Sequence, residues 1–264
     1  MDLHLTDKTA LVTGSTAGIG LEIARKLAVE GANVIITGRN KAKLDQTVDS
    51  IRASGGAGVS GVLADASTDK GAAALVHVAP AVDILVNNLG IYELKDFAAI
   101  TDAEWRRYFE VNVLSGARLA RAYFPGMLER NWGRIIFISS ASALVTPGKM
   151  MHYGMTKTAQ LAVSRGLAAL TKGTKVTVNS VLPGPTRSEG IVDFLKSVAS
   201  DPAASPKQIE AEFFAKNRPS SLLQRMIEPE EIANLVAYLA SSLSSATNGA
   251  ALRVDGGVTP TIGG

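Results

Sequence analysis

Short apolar runs alternate along the chain with longer stretches in which apolar residues recur at helical spacing. The runs TALVT (9–13), NVIIT (33–37), VSGVL (59–63), DILVN (83–87), RIIFIS (134–139), VTVNSV (176–181) and AALRV (250–254) predict seven strands. Several are nearly continuous in Val, Ile and Leu, the pattern of strands covered on both faces in a parallel sheet. Between them, IGLEIARKLAVEGA predicts a helix stopped at Gly31, and NKAKLDQTVDSIRASGG one capped by Asn40. The stretch from Thr101 to Arg130 opens with a capping-box pattern, Thr101 to Glu104, and reads as helical. EPEEIANLVAYLASSL carries Pro229 among glutamates at its start, where the helix dipole favours acids. Strand alternating with helix predicts an α/β fold, a doubly wound seven-stranded parallel sheet in one domain over residues 1–264.

The least regular part runs from about 187 to 226. An excursion of this length reads either as a lid over a site or as an exposed helical insertion. Lys196, Lys207, Lys216, Arg218 and Arg225 make it basic, which suits an acidic substrate or carrier as well as ordinary solvation. Over the whole chain the charges nearly balance, 27 bases against 24 acids, with no run of five or six like charges, so nucleic acid is not an expected partner. The chain has no cysteine, which excludes disulfides, thiol catalysis and cysteine-ligated metal; no metal is expected. No uninterrupted apolar segment approaches the roughly 18 residues that span a bilayer, so no membrane is expected. The N-terminal residues lack the basic-then-apolar order of a signal peptide, and the expected location is cytoplasmic.

Two stretches carry chemistry. TGSTAGIG (13–20) follows the first strand and opens the first helix. Glycines there let the backbone approach a pyrophosphate while the helix N-terminus supplies N–H donors; read alone, the turn fits a tight corner too. The second strand ends in Gly38 and Arg39, where NAD sites carry an acid for the ribose hydroxyl. Arg39 suits a 2′-phosphate, or is a solvated loop arginine. In YGMTK, Tyr153 and Lys157 stand four apart, on one face if the segment is helical. A tyrosine is a poor acid–base group at neutral pH unless its phenolate is stabilised, which a neighbouring ammonium does. Ser140 ends the strand RIIFISS, at a position suited to hydrogen-bond a substrate carbonyl.

Taken together, these residues resemble the classical short-chain dehydrogenase/reductase family, in its 3-oxoacyl-carrier-protein-reductase-like branch, over about residues 6–258. TGSTAGIG matches the family's TGxxxGxG turn, NNLG (87–90) its NNAG motif, and Asn112 in VNV its asparagine. Ser140, Tyr153 and Lys157 fall at its spacing, PGPTRS (183–188) matches its nicotinamide region, and EPEEIA…ATNGAALRVDGG its C-terminal signature. The resemblance implies a Rossmann-like fold and hydride exchange between nicotinamide C4 and a ketone or secondary alcohol, with NADP(H) preferred over NAD(H). It implies Tyr153 as proton donor and acceptor, and Lys157 as lowering the tyrosine pKa and bonding the nicotinamide ribose. Ser140 orients the carbonyl, and Asn112 holds a water that links Lys157 to solvent. Cofactor contacts are implied for Gly14, Ser15, Thr16, Gly18, Ile19, Gly20, Arg39, Asp65, Ala66, Asn87, Gly90, Pro183, Gly184, Thr186 and Ser188 as well as Tyr153 and Lys157.

The chain departs from the family pattern at Leu89, at Thr16 and at Ser188. Leu89 replaces an alanine and narrows or shifts the pocket floor. Thr16 lacks the charge that some NADP-dependent members carry in the turn, which leaves Arg39 as the main support for a 2′-phosphate. Ser188 stands for a threonine, a contact Thr186 can share. The resemblance further implies a homo-oligomer, usually a tetramer, packed through helices at about 101–129 and 150–172. A 3-oxoacyl-carrier-protein reductase is the alternative within the class. A cofactor-sensing binding protein without catalysis is the alternative outside it, and the intact Asn112, Ser140, Tyr153 and Lys157 argue against it. An enoyl reductase is disfavoured, because that branch spaces its tyrosine and lysine more widely. His152 reads as a packing or surface residue, and the tryptophans Trp105 and Trp132 as packing residues.

Overall fold

Ile84 and Val86 join one apolar layer of the protein, and Leu85 between them joins the other. Successive residues of a strand point to opposite faces, so a run without alternation has a hydrophobic layer on each side. The computed structural model describes residues 2–56, 58–188 and 191–262, with the side chains of Val192 and Asp193 outside that description. Its strands are β1 (Thr9–Val12), β2 (Asn33–Gly38), β3 (Val59–Leu63), β4 (Ile84–Asn87), β5 (Gly133–Ile138), β6 (Val176–Pro183) and β7 (Ala251–Val254). They form one parallel sheet in the order β3-β2-β1-β4-β5-β6-β7. The expected seven-stranded Rossmann-like sheet is therefore the observed one.

Helices cover both faces. One layer is built on α1 (Gly18–Val29), α2 (Lys41–Ala53) and α9 (Pro229–Ala240), through residues such as Ile23, Leu44 and Val236. The opposite layer is built on α3 (Asp69–Val78), α5 (Ser115–Glu129) and α6 (Met151–Ala169), with Leu75, Tyr123 and Ala168 among its contributors. The predicted caps are in place. Asn40 accepts from the Lys43 N–H at 3.0 Å, Thr101 and Glu104 form a capping box, and Gly31 takes the positive φ (95°) that ends α1.

The stretch expected as one helix from Thr101 is two. Between α4 (Asp102–Phe109) and α5 lies a π-helical turn, Glu110–Leu114, that contains Asn112. The cause is tertiary: the Asn112 carbonyl accepts from Gln160 Nε2 at 2.5 Å, and its side chain is tied to Ile91 and Thr156. A wide turn keeps those bonds and still lets α5 lie on the sheet.

The excursion folds as α7 (Ile191–Val198) and α8 (Pro206–Asn217) around a small core of its own, including Leu195, Ile209, Phe213, Phe214 and Met226. Arg187 anchors its base to Glu228 at 2.8 Å and to Glu210 at 3.2 Å. Glu189 and Gly190, within the expected 187–226 segment, lie outside the described residues. Among the described residues no helix is long and apolar enough to cross a membrane, and no cluster of acids and histidines has the form of a metal site.

Candidate active site

The sheet order reverses between β1 and β4, and the crevice at the carboxyl ends of the strands opens there. A cavity of about 740 Å³ occupies that end of the molecule. The glycine turn forms one part of its wall. Gly14 and Gly18 hold φ of 61° and 53°, a conformation in which a side chain is strained. The N-terminus of α1 has no side-chain cap, so its first N–H groups remain donors for a ligand. Gly14, Gly18, Ile19 and Gly20 all line the cavity. Asn88 staples the turn from β4, donating from Nδ2 to the carbonyls of Thr13 and Gly14 at 3.0 and 3.1 Å.

Another part of the same wall carries the acid–base residues. Ser140, Tyr153 and Lys157 line the cavity together with Gly90, Pro183, Gly184, Thr186 and Ser188. Tyr153 and Lys157 lie one turn apart on α6, and Lys157 Nζ stands 5.6 Å from the Tyr153 ring centre. Burial pushes the Tyr153 phenol up to about 12, against a hydrogen bond with Ser140 that acts in the lowering direction. Burial likewise brings the Lys157 ammonium down to about 7. Its Nζ donates to the Ile138 carbonyl at 2.8 Å and to Gln160 Oε1 at 3.3 Å, while Ser139 Oγ holds the Lys157 carbonyl at 2.8 Å.

Other expected residues stand outside the cavity wall. Ser15 is fully buried, donating to the Val12 carbonyl at 2.7 Å and accepting from the Thr37 N–H at 2.9 Å, so its hydroxyl holds β1 to β2. The Thr16 methyl lies against Gly38, where an added Cβ would come within 2.7 Å of it. Arg39 is mostly exposed at the end of β2, 3.8 Å from Asp65. Asp65 also accepts from the Ser67 N–H and hydroxyl at 3.0 and 2.6 Å. Ala66 is buried in the layer beneath β1 and β4. Asn87 is buried against Gly116 and Phe137, and its amide has no hydrogen-bond partner among the described residues. Asn112 is buried behind the cavity, its amide bonded to Ile91 and Thr156.

This arrangement agrees with what the chain resembles among known proteins. A family model described as enoyl-(acyl carrier protein) reductase matches residues 14–259. The uncharacterized oxidoreductase YvaG of Bacillus subtilis is 50% identical over 99% of this chain and all of its own length. The 3-oxoacyl-[acyl-carrier-protein] reductase FabG of Aquifex aeolicus is 31% identical over 98% of this chain and all of its own. The chain belongs to the short-chain dehydrogenase/reductase family. Among solved structures of that fold, L-sorbose reductase from Gluconobacter frateurii, complexed with NADPH and L-sorbose, superposes with a TM-score of 0.91. It is 30% identical, and the match covers 99% of this chain and 100% of that one. The protein is thus an oxidoreductase of the short-chain dehydrogenase/reductase family.

Within this family member, three contributors carry no assignment from sequence. Asn88 sits in the NNLG motif, and its role as staple needs the β1–β4 pairing to be known. Gln160 follows Lys157 by three residues on α6, a spacing that puts them on one face. Tyr92 meets Tyr153 edge to face at 6.1 Å; nothing in its sequence surroundings marks it.

Of the packing and surface roles open to His152 from sequence, the structure gives it packing. It is fully buried, tilted against Tyr108 at 4.0 Å and edge-on to Trp105 at 6.1 Å. Burial pushes its pKa down, Lys95 in the same direction and Glu93 and Glu104 in the opposite one. The unfolded chain therefore takes up this proton near the ordinary value of about 6.5, before the folded one does. Stability present above that value is lost as pH falls through the interval down to the folded pKa. His152→Phe is expected to reduce this acid loss, measured as the fall in Tm between pH 7.5 and pH 5, both approximate limits for histidine titration. An equal fall in both proteins would clear His152 of the effect.

Proposed function

We propose that this protein is an NADP(H)-dependent reductase of ketones, working in reverse on secondary alcohols. The observation that carries the reading is one cavity shared by the glycine turn and by Ser140, Tyr153 and Lys157. The turn fits a dinucleotide. Its two positive-φ glycines bring bare backbone to the cavity wall, and the uncapped start of α1 offers N–H donors to a pyrophosphate. When bound, the nicotinamide supplies a hydride to the carbonyl carbon or accepts one from the alcohol.

Tyr153 gives its proton to the carbonyl oxygen, and the Ser140 hydrogen bond, which favours the phenolate, opposes the rise in its pKa that burial causes. Ser140 donates to the same oxygen and offsets the charge that develops on it. Lys157, held by Ile138 and Gln160, restores the proton to Tyr153. Asn112 fixes the loop at Ile91 on one side and α6 on the other, and so positions both. Arg39 receives the 2′-phosphate. Its pairing with Asp65 is solvent-exposed and worth little, so an incoming phosphate outcompetes it. The NADPH bound by the Gluconobacter frateurii L-sorbose reductase supports this preference. The segment around α7 and α8 acts as a lid, and a homo-oligomer through α4, α5 and α6 completes the assembly, in the cytoplasm.

The enoyl reduction after which the matching family model is named is not the reading taken, since Tyr153 and Lys157 are only four residues apart. Reduction of 3-oxoacyl thioesters is the second reading, favoured by the 31% identity to the Aquifex aeolicus reductase.

The test is loss of nicotinamide absorbance with NADPH and with NADH across neutral ketones, diketones, oxo acids and 3-oxoacyl thioesters. NADPH is expected to be preferred about 10-fold or more, the worth of a charge-assisted contact, and Arg39→Leu to remove most of that preference. An NADH preference would overturn the role of Arg39. Turnover of none of the panel would overturn the reductase reading.

A further inference from the structure

Beyond Arg187 at its base, the five basic residues of the excursion, equivalent in sequence, have different surroundings in the structure. Lys216 bonds Glu212 and Ser200, both at 2.7 Å, and Arg225 pairs with Glu231 at 2.8 Å. Lys196 and Lys207 are exposed. Arg218 alone among the five lines the cavity that holds Tyr153. It follows directly on α8 and is half-buried, and among the described residues it has no acidic partner. One guanidinium nitrogen donates to the Asn217 carbonyl at 2.7 Å, and the group lies 5.7 Å from the Phe213 ring centre.

A guanidinium has five N–H donors, and those contacts leave most of them unused. Burial already disfavours its charge and pushes its pKa down. A face-on aromatic ring offsets part of that cost, and an anion would offset far more. The position is also fixed. The Arg218 N–H bonds the Phe214 carbonyl at 3.2 Å, its own carbonyl accepts from the Ser221 N–H at 3.0 Å, and Phe213 is wedged edge-on between Phe194 and Phe214. The rest of the substrate end of the cavity is mainly apolar, with Leu89, Val145, Met150, Ile191 and Phe194 among its walls. A cation set among apolar walls selects an amphipathic anion.

We propose that Arg218 is a substrate-specificity residue that binds a carboxylate, so that the enzyme acts on oxo acids and hydroxy acids whose acid group is separated from the reacting carbon by an apolar body. The planar fork of the guanidinium matches a carboxylate with two parallel bonds. This rests on the ketone-reductase reading above and narrows it. The other anion that reaches this cavity is the cofactor itself, and the experiment separates the two.

Straight-chain oxo acids of graded length are compared with their methyl esters, using NADPH and the wild type, Arg218→Lys and Arg218→Met. For the best length, the wild type is expected to favour the acid over its ester by about 10- to 100-fold in kcat/KM, the range for a hydrogen bond to a charged group. In Arg218→Met that ratio falls to about one through a higher KM for the acid, and Arg218→Lys keeps part of it. Because the readout is a ratio within each protein, partial loss of folded enzyme does not disturb it. An unchanged ratio in Arg218→Met overturns the proposal. So does a rise in the KM for NADPH that is the same with acid and ester, which would assign the cation to the cofactor. If no ketone of either kind is reduced, calorimetric titration of hexanoate into the NADP-saturated protein decides separately. Binding lost in Arg218→Met keeps the carboxylate site while the reductase reading fails; no binding to the wild type overturns the site as well.

Discussion

Tyr153→Phe is expected to slow ketone reduction about a thousandfold while changing NADPH affinity by less than about twofold. The substitution keeps the ring, and with it the edge contact to Tyr92 at 6.1 Å, and deletes only the hydroxyl and its bond with Ser140. Magnitude distinguishes the two roles open to that hydroxyl. A group that merely orients a carbonyl through one hydrogen bond is worth about 10- to 100-fold, whereas a positioned general acid contributes about 100- to 10,000-fold. Stopped-flow reduction under single-turnover conditions, with cofactor affinity from fluorescence titration, gives both quantities. A loss below about tenfold would assign proton delivery to another group. A loss matched by weaker cofactor binding would point to a collapsed site rather than to missing chemistry.

Gly20→Ala is expected to weaken NADPH binding at least about 100-fold and to lower stability by about 1–3 kcal/mol, as overpacking does. In an ordinary helix the same change is favourable by about 0.5–1 kcal/mol, because glycine has the larger backbone entropy to lose. Here the new methyl would lie 2.4 Å from the Gly14 carbonyl oxygen and 2.4 Å from Asn88 Nδ2. The first is backbone of the very turn that must approach the pyrophosphate, and the second is the side chain that staples it. Neither gives way without moving the turn. Gly166→Ala in α6 is the control, since an added Cβ there meets nothing within 4 Å. Denaturant melts and cofactor titration of the pair check the prediction. Equal affinities in both variants would mean that the turn tolerates displacement and that its glycines serve packing alone.

The parts of this protein that can be read from its sequence are those with local causes. Several strands announce themselves because they are apolar on both faces, and the glycine turn and the Tyr153–Lys157 pair are defined by spacing along the chain. What the sequence does not reveal has distant causes. Helix α3 has no clear sequence signal: its run DKGAAALVHV is short and has Gly71 inside it. The glycine is required because a Cβ there would meet the Asp65 carbonyl at 1.9 Å. The break at Asn112 depends on Thr156 and Gln160, more than forty residues away. Which side chains of a recognised motif face the cavity is equally hidden. Ser15 sits in the middle of the glycine turn, yet its hydroxyl is spent on holding two strands together. The basic residues of the excursion differ only in what the fold brings next to them, Glu212 of α8 beside Lys216 and Glu231 of α9 beside Arg225.

The π turn at Glu110–Leu114 has a consequence for how this chain tolerates change. One residue of helix corresponds to about 100° of rotation, and the wide turn absorbs about one residue beyond what α-helical winding allows. Winding the same residues as α-helix throughout would swing every side chain of α4 by about 100° around its axis relative to α5. The pairing of Asn112 with Ile91 and the seating of Tyr123 in its layer would then become mutually exclusive. The extra residue thus acts as a phase adjuster, uncoupling the rotational setting of the site from that of the scaffold, so that substitutions in α4 need not be matched by compensating ones in α5.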